Sequence, residues 1–140
     1  MEIRNYRPED YFGVEKLYKD SSTYGGEFDE SRDTPERLNN LVAKKTEAIL
    51  VAEDTGEIVG TVTLFEDGRS AWLYRFAVSS ENEIEISKAL WIKASEVMKT
   101  WGHKQVLVYA PARDNHFQNR YESIGFTKGN DFTAYYQNLE

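Results

Sequence analysis

Cysteine is absent from the 140 residues, which excludes disulfides, thiolate metal sites and a cysteine nucleophile. The two histidines, His103 and His116, fall in a turn and near a helix start. Neither belongs to a cluster with metal-ligand spacing, so no metal is expected. No apolar run is long enough to cross a bilayer, and residues 1–5 lack the apolar core of a signal peptide. The expectation is a cytoplasmic protein with no membrane partner. A basic stripe is also missing. The 24 acidic residues outnumber the 17 basic ones, for a net charge of −7, whereas binding to phosphates needs positive charge. A nucleic-acid partner is therefore not expected. The acidic excess suits a cationic acceptor, and it equally suits solubility alone.

With 40% apolar and 14% aromatic residues, the chain has enough for one domain with a single substantial core. Residues 2–6 read as a strand. Pro8 suits the first turn of a helix whose stripe is Tyr11, Val14, Leu17 and Tyr18. Residues 21–33 read as a loop rich in Ser, Gly and acidic residues, which also carries Tyr24, Glu27 and Phe28. Thr34-Pro35 reads as a cap followed by proline at the first helical position, before the stripe Leu38, Leu41, Val42.

Three strands follow, over 48–53, 58–65 and 71–78, punctuated by Thr55-Gly56 and Asp67-Gly68. Ile86, Leu90, Ala94, Val97 and Trp101 define the next helix, ended by Gly102. Residues 105–110 form a strand stopped by Pro111. Asp114 or Asn115 caps a helix with the stripe Phe117, Tyr121, Ile124, ended by Gly125. Residues 126–127 and 133–139 are expected to make a terminal antiparallel pair. The order is β-α-α-β-β-β-α-β-α-β-β. It describes an α/β fold: a mixed, mostly antiparallel central sheet flanked by helices, with one parallel pairing through a right-handed crossover.

Several short pieces carry a resemblance. They are Ile3-Arg4-Asn5-Tyr6-Arg7-Pro8-Glu9-Asp10; Ala48-Ile49-Leu50-Val51-Ala52-Glu53 followed by Glu57-Ile58-Val59-Gly60-Thr61-Val62; Leu73-Tyr74-Arg75-Phe76-Ala77-Val78; and Asn115 with Arg120-Tyr121-Glu122-Ser123-Ile124-Gly125-Phe126. Together they resemble the GNAT family of N-acetyltransferases, as a single domain over 1–140. The last piece is the most specific, matching the family's Asn followed by Phe-Tyr-Glu-Lys-x-Gly-Phe.

The resemblance implies acetyl-CoA as cofactor and a small-molecule or peptide amine as acceptor. Backbone N–H groups of Phe76, Ala77 and Val78 would hold the pantetheine and polarise the thioester carbonyl. Tyr121 would protonate the departing thiolate, its other reading being a packing residue of the stripe. Asn115 would contact the cofactor, its other reading being a helix cap. The acceptor would meet Tyr24, Glu27 and Phe28.

One departure stands out. Where the family carries Arg/Gln-x-x-Gly-x-Gly/Ala around the pyrophosphate, this chain reads Asn82-Glu83-Ile84-Glu85-Ile86-Ser87, followed by Lys88. If those positions keep the glycine backbone, each strained residue costs ~1–3 kcal/mol. A carboxylate about 4 Å from a phosphate charge opposes binding by up to ~4 kcal/mol. The same acids favour a helix start in their own right. A second reading is thus a catalytically impaired binding or regulatory module that has lost CoA. A third is a homodimer joined through the terminal strands with Phe132, Tyr135 and Tyr136.

Overall fold

The computed structural model describes residues 1–20 and 27–139. One five-stranded sheet runs in the order β1 (Glu2–Asn5), β2 (Ile49–Asp54), β3 (Glu57–Glu66), β4 (Ala71–Val78), β5 (Leu107–Val108). The first four strands are antiparallel, and β5 lies parallel to β4. Helices α1 (Tyr11–Asp20), α2 (Pro35–Lys44), α3 (Glu83–Thr100) and α4 (Asn115–Ser123) flank the sheet. A short 3-10 turn, Pro8–Asp10, leads into α1.

Local chemistry accounts for most boundaries. Thr55 and Gly56 both take positive φ, 48° and 83°, the geometry that a two-residue hairpin between twisted strands requires. The Asp67 carboxylate accepts from the N–H groups of Arg69 and Ser70 and holds the β3–β4 turn. Thr34 Oγ1 accepts from Arg37 N at 3.2 Å and caps α2, with Pro35 in the first turn.

Two apolar layers lie on opposite faces of the sheet. Leu50, Val62, Phe76, Leu90, Met98 and Tyr121 are among those that join the sheet to α3 and α4. Tyr6, Val14, Leu17, Leu38, Val51 and Ala77 join it to α1 and α2. Phe76 and Ala77 thus point to opposite sides, as strand alternation demands. At the edge of the second layer, Arg4 grips Asp10 through two bonds of 2.8 and 2.9 Å and reaches Glu53 at 2.9 Å. Burial pushes the Asp10 carboxyl up, but Arg4 and the Arg7 N–H outweigh this and hold it below the usual range.

The expected terminal pair is overturned: no strand forms over residues 125–139. Phe132, Tyr135, Tyr136 and Leu139 are 74–94% exposed. High β-propensity makes no strand without a partner edge and an apolar layer to rest on. The strand expected over 105–110 contracts to two residues for a similar reason, since β4 bonds it only at Leu107 and Val108.

Gly60 sets how closely α3 lies on the sheet. A Cβ there would stand 2.7 Å from Ile86 Cγ2 and 2.9 Å from Leu90 Cδ1. Gly60→Ala is therefore expected to lower stability by about 1–3 kcal/mol through overpacking. Urea unfolding followed by circular dichroism measures it. An unchanged midpoint would mean that α3 can draw away without loss.

Candidate active site

The site begins with a fault in β4. The β3–β4 register passes from Thr61↔Ala77 to Thr63↔Tyr74, so two residues of β3 span three of β4. The extra residue makes a β-bulge. At it Arg75 takes φ of +52°, a left-handed conformation that costs a non-glycine residue roughly 1–2 kcal/mol. Its side chain is anchored in compensation. The guanidinium lies 3.9 Å from the centre of the Tyr18 ring and donates to Asp33 Oδ2 at 3.1 Å. Burial pushes the Tyr18 phenol up, and the Arg75 charge pulls partly the other way.

The parallel pairing ends at the same place. β4 and β5 pair at Trp72↔Leu107 and Leu73↔Val108 and then part. Beyond Leu73 no strand pairs with that edge of β4 among the described residues, and Phe76 meets α4 there through Arg120 and Tyr121. Ser79 N donates to Val59 O at 2.8 Å. Alternation therefore turns the peptide groups of Phe76 and Val78 to the open edge and that of Ala77 to β3. Of the three amides implied by the resemblance, Phe76 and Val78 face the open edge, and Ala77 is spent on the ladder.

Arg120 fills part of this edge. It is 3% exposed, and its Nη2 donates to the Phe76 carbonyl oxygen at 2.8 Å and to the Tyr121 hydroxyl oxygen at 3.4 Å. The guanidinium lies 4.7, 5.2 and 5.1 Å from the ring centres of Phe76, Phe117 and Tyr121. Its Nε is buried without a hydrogen-bond partner. The Arg-for-Phe departure in the α4 motif thus puts a cation where the pattern has a ring.

Tyr121 is buried on the same face of α4, packed near Phe76, Phe117 and Phe126. Burial pushes its phenol above the ordinary value, and Arg120 partly offsets this. Tyr121 lines a cavity of about 260 Å³ with Val108, Ala110, Gln118 and residues 126–134. The start of α3 opens instead onto a larger cavity of about 870 Å³, lined by Val78, Ser79, Ser80, Glu83, His116 and Arg120, by α1 and by the β2–β3 hairpin. Arg120 stands between the two, touching Tyr121 while lining the larger one. Six carboxylates (Glu9, Asp10, Asp20, Glu53, Glu57, Glu83) line the larger cavity against the cations Arg4, Lys16 and Arg120, so its field favours a positive guest.

The cradle differs from the expectation. α3 begins at Glu83, so Glu83, Ile84, Glu85, Ile86, Ser87 and Lys88 are all helical. None of them has positive φ, and the backbone strain anticipated at Glu83, Glu85 and Ser87 does not arise. The single left-handed residue is Asn82, at φ of 60°, a conformation asparagine tolerates. Asn82 makes no side-chain cap, and helix geometry leaves the N–H groups of Glu83, Ile84 and Glu85 without an intrahelical acceptor.

The Glu83 carboxylate turns to His116 Nε2 at 2.7 Å. Ile86 and Ser87 point into the core, with Ser87 Oγ buried and unpartnered. Ile84, Glu85 and Lys88 are exposed. Asn115 is the first residue of α4 and is exposed, and the capping expected of it falls to Asp114, whose carboxylate accepts from His116 N and Phe117 N.

Tyr24 lies outside the described residues. Glu27 is exposed, whereas Phe28 packs partly against the α1–α2 layer with Lys19 4.7 Å from its ring. Among the described residues no group of His, Asp and Glu is placed to hold a metal, and no helix is long and apolar enough to cross a membrane. Sequence reasoning missed Arg75 and Arg120. The bulge has no local signal, because arginine is not a residue that advertises positive φ. Arg120 was visible only as a departure from the motif.

The family model for the acetyltransferase (GNAT) family matches residues 12–126. Solved structures share the fold. A putative acetyltransferase from Agrobacterium tumefaciens is 19% identical with a TM-score of 0.77, over 98% of this chain and 100% of that one. An aminoglycoside antibiotic 6'-N-acetyltransferase from Acinetobacter haemolyticus is 13% identical with a TM-score of 0.76, covering 100% of both chains. PaiA N-acetyltransferase from Thermoplasma acidophilum, in complex with coenzyme A, is 22% identical with a TM-score of 0.70, over 86% of each. No curated protein matches in sequence.

The Tyr121 environment makes a prediction about pH. Its folded pKa lies above the ordinary 10.0. Keeping the phenol neutral therefore contributes stability in full below the unfolded value, and that contribution is lost as pH rises through the folded one. In a spectrophotometric titration, Tyr121→Phe should remove one phenol that ionises above 10.0. Arg120→Met, which deletes the offsetting cation, should move that ionisation higher. A difference spectrum titrating at or below the ordinary value would contradict the assignment.

Proposed function

The chain belongs to the acetyltransferase (GNAT) family, and we propose that it transfers an acetyl group from acetyl-CoA to the amine of a small-molecule or peptide acceptor. The observation that carries this reading is the open β4 edge beside a helix start with unfilled donors. β4 parts from β5 after Leu73, and α3 begins five residues beyond the end of β4 without a side-chain cap. Oriented N–H groups at a helix start favour an anion, so the residues present fit a pyrophosphate without glycine. Bound there, acetyl-CoA would supply an activated acyl group.

The roles of this chain's residues follow. N–H groups of Glu83, Ile84 and Glu85 face the phosphate charge. Amides of Phe76 and Val78 on the open edge orient the pantetheine arm and the carbonyl. The Tyr121 hydroxyl, protonated at neutral pH, is a proton donor for the leaving sulfur. On the other walls of the larger cavity, Glu9, Asp20 and Glu57 from the α1 and β2–β3 side suit a cationic amine. An aminoglycoside acetyltransferase with this fold supports that choice of acceptor class by analogy.

One observation favours the second reading, a binding or regulatory module. Arg120 already satisfies the Phe76 carbonyl and separates Tyr121 from the larger cavity. Acyl transfer on this site requires the Arg120 side chain to swing out.

Calorimetry with acetyl-CoA, paired with thermal melting, tests the proposal. Heat of binding and a raised melting temperature are expected, since a ligand of the folded state must stabilise it. No heat and no protection at millimolar ligand would sink it. Binding without turnover toward a panel of amines would give the module reading its support. If turnover is present, Tyr121→Phe should reduce it by roughly 10²–10⁴ while leaving the fold intact.

The charge at the cradle has its own outcome. Glu83→Gln combined with Glu85→Gln keeps the helix and removes two negative charges. It should tighten acetyl-CoA about tenfold, or ~1.4 kcal/mol. Weaker binding would mean that Glu83 acts through His116 to shape the site.

A further inference from the structure

A third cavity, of about 730 Å³, lies between α2, the loop before it and β4. Its charge is opposite to that of the cavity at the α3 start. Arg32, Arg37, Lys44 and Arg75 line it against Asp33 and Glu36, in a chain whose net charge is −7. Much of that positive charge is uncommitted. Asp33 is already engaged, accepting from Arg75 Nη2 at 3.1 Å and from the Asp29 N–H at 2.9 Å. Arg32 pairs with Asp29. Arg37 and Lys44 stand two turns apart on one face of α2, both exposed, and neither has a salt bridge among the described residues. Arg75 Nε is buried without a hydrogen-bond partner among the described residues, which calls for an explanation in a native fold.

The sheet beside this cavity carries an aromatic strip. Leu64 and Leu73 belong to the layer that packs on α3 and α4, so alternation turns Thr63, Phe65, Trp72 and Tyr74 to the α2 side. Thr63 lines the cavity and lies opposite Tyr74 across the β3–β4 ladder. The Tyr74 ring centre is 5.6 Å from that of Phe65 and 6.3 Å from that of Trp72, to which it is nearly parallel at 10°. Phe65 is 47% and Tyr74 39% exposed. Exposed rings take a flat apolar body, and the positive cavity takes an anion. We propose that the two together form a binding site for a small aromatic carboxylate. The ring of the ligand lies on Phe65 and Tyr74, and its carboxylate enters the cavity toward Arg37 and Lys44. One guanidinium and one ammonium match the two oxygens and single charge of a carboxylate.

The backbone at this wall is of the kind that ligand sites carry. Arg75 lines the cavity and holds the left-handed conformation of the β4 bulge, and strained residues cluster where ligands bind. The cavity shares no lining residue with the two described above. It is separate from the groups that acyl transfer would use, and the proposal does not rest on that reading.

Calorimetry of the full chain with indole-3-acetate tests it, with neutral indole-3-acetamide and with acetate as companion probes. Saturable binding of indole-3-acetate is expected. Each companion should bind about tenfold more weakly or worse, one lacking the charge and the other the ring. Arg37→Gln combined with Lys44→Gln removes both free charges from an exposed face of α2 and should weaken indole-3-acetate about tenfold. Tyr74→Thr keeps a strand-forming residue, removes the ring and should weaken it by a similar factor. Circular dichroism checks that each variant is folded, and the α2 variant, altered only at exposed positions, keeps the test decisive if Tyr74→Thr is not. An absence of saturable binding overturns the proposal. Equal binding of the acetamide or of acetate overturns it as well, since charge or ring then plays no part. So does undiminished binding to the folded α2 variant, because the ligand then sits elsewhere.

Discussion

The bulge at Arg75 is the constraint on which the site depends. One extra residue in a central strand cannot be absorbed by a flat ladder, so β4 bends and turns its peptide groups away from the next strand. Pairing with β5 therefore ends at Leu73↔Val108, and the edge from Tyr74 to Val78 is freed. The left-handed backbone of Arg75 would be unfavourable alone. It persists because Tyr18 and Asp33 hold the side chain from the α1–α2 side. The open edge on one face of the sheet is thus stabilised by contacts made on the other, an arrangement typical of strained functional positions.

Arg120 is the counterpart of that opening. A freed carbonyl in an apolar setting needs a donor, and the guanidinium supplies one at Phe76. The same cation sits among three rings and near the Tyr121 hydroxyl, where it favours the ionised phenol that burial opposes. A buried guanidinium with an unpartnered Nε is costly unless something uses it. Its position, between the cavity that receives the α3 start and the cavity that holds Tyr121, makes it the element any ligand spanning both must displace.

The chain turns from β4 into α3 without glycine. Glycine is needed where a loop must take positive φ at several residues before a helix. Here the helix starts early, at Glu83, and a single left-handed Asn82 makes the turn. The residues that looked strained in the sequence are ordinary helical residues. Glu83 and Glu85 bring carboxylates to the helix start, and the Glu83 carboxylate meets His116 Nε2 at 2.7 Å.

The element order as far as α4, both hairpin turns, the Thr34 cap and the stripes of α3 and α4 were legible in the sequence. Periodicity, turn chemistry and capping act over a few residues, and the chain obeys them locally. The α4 motif likewise drew attention to Tyr121, which the structure buries beside Phe76 and Arg120, and its arginine at position 120 was visible as a substitution. Three things were decided only by tertiary structure. The bulge at Arg75 depends on Tyr18 and Asp33, which are distant in sequence. The meeting of Arg120 with Phe76 depends on α4 lying against the edge that the bulge opens. The fate of residues 133–139 depends on a partner edge, since a strand exists only when another strand completes its hydrogen bonds. Local rules settle which segments can be helix or strand, but which edges stay open is a property of the assembled sheet.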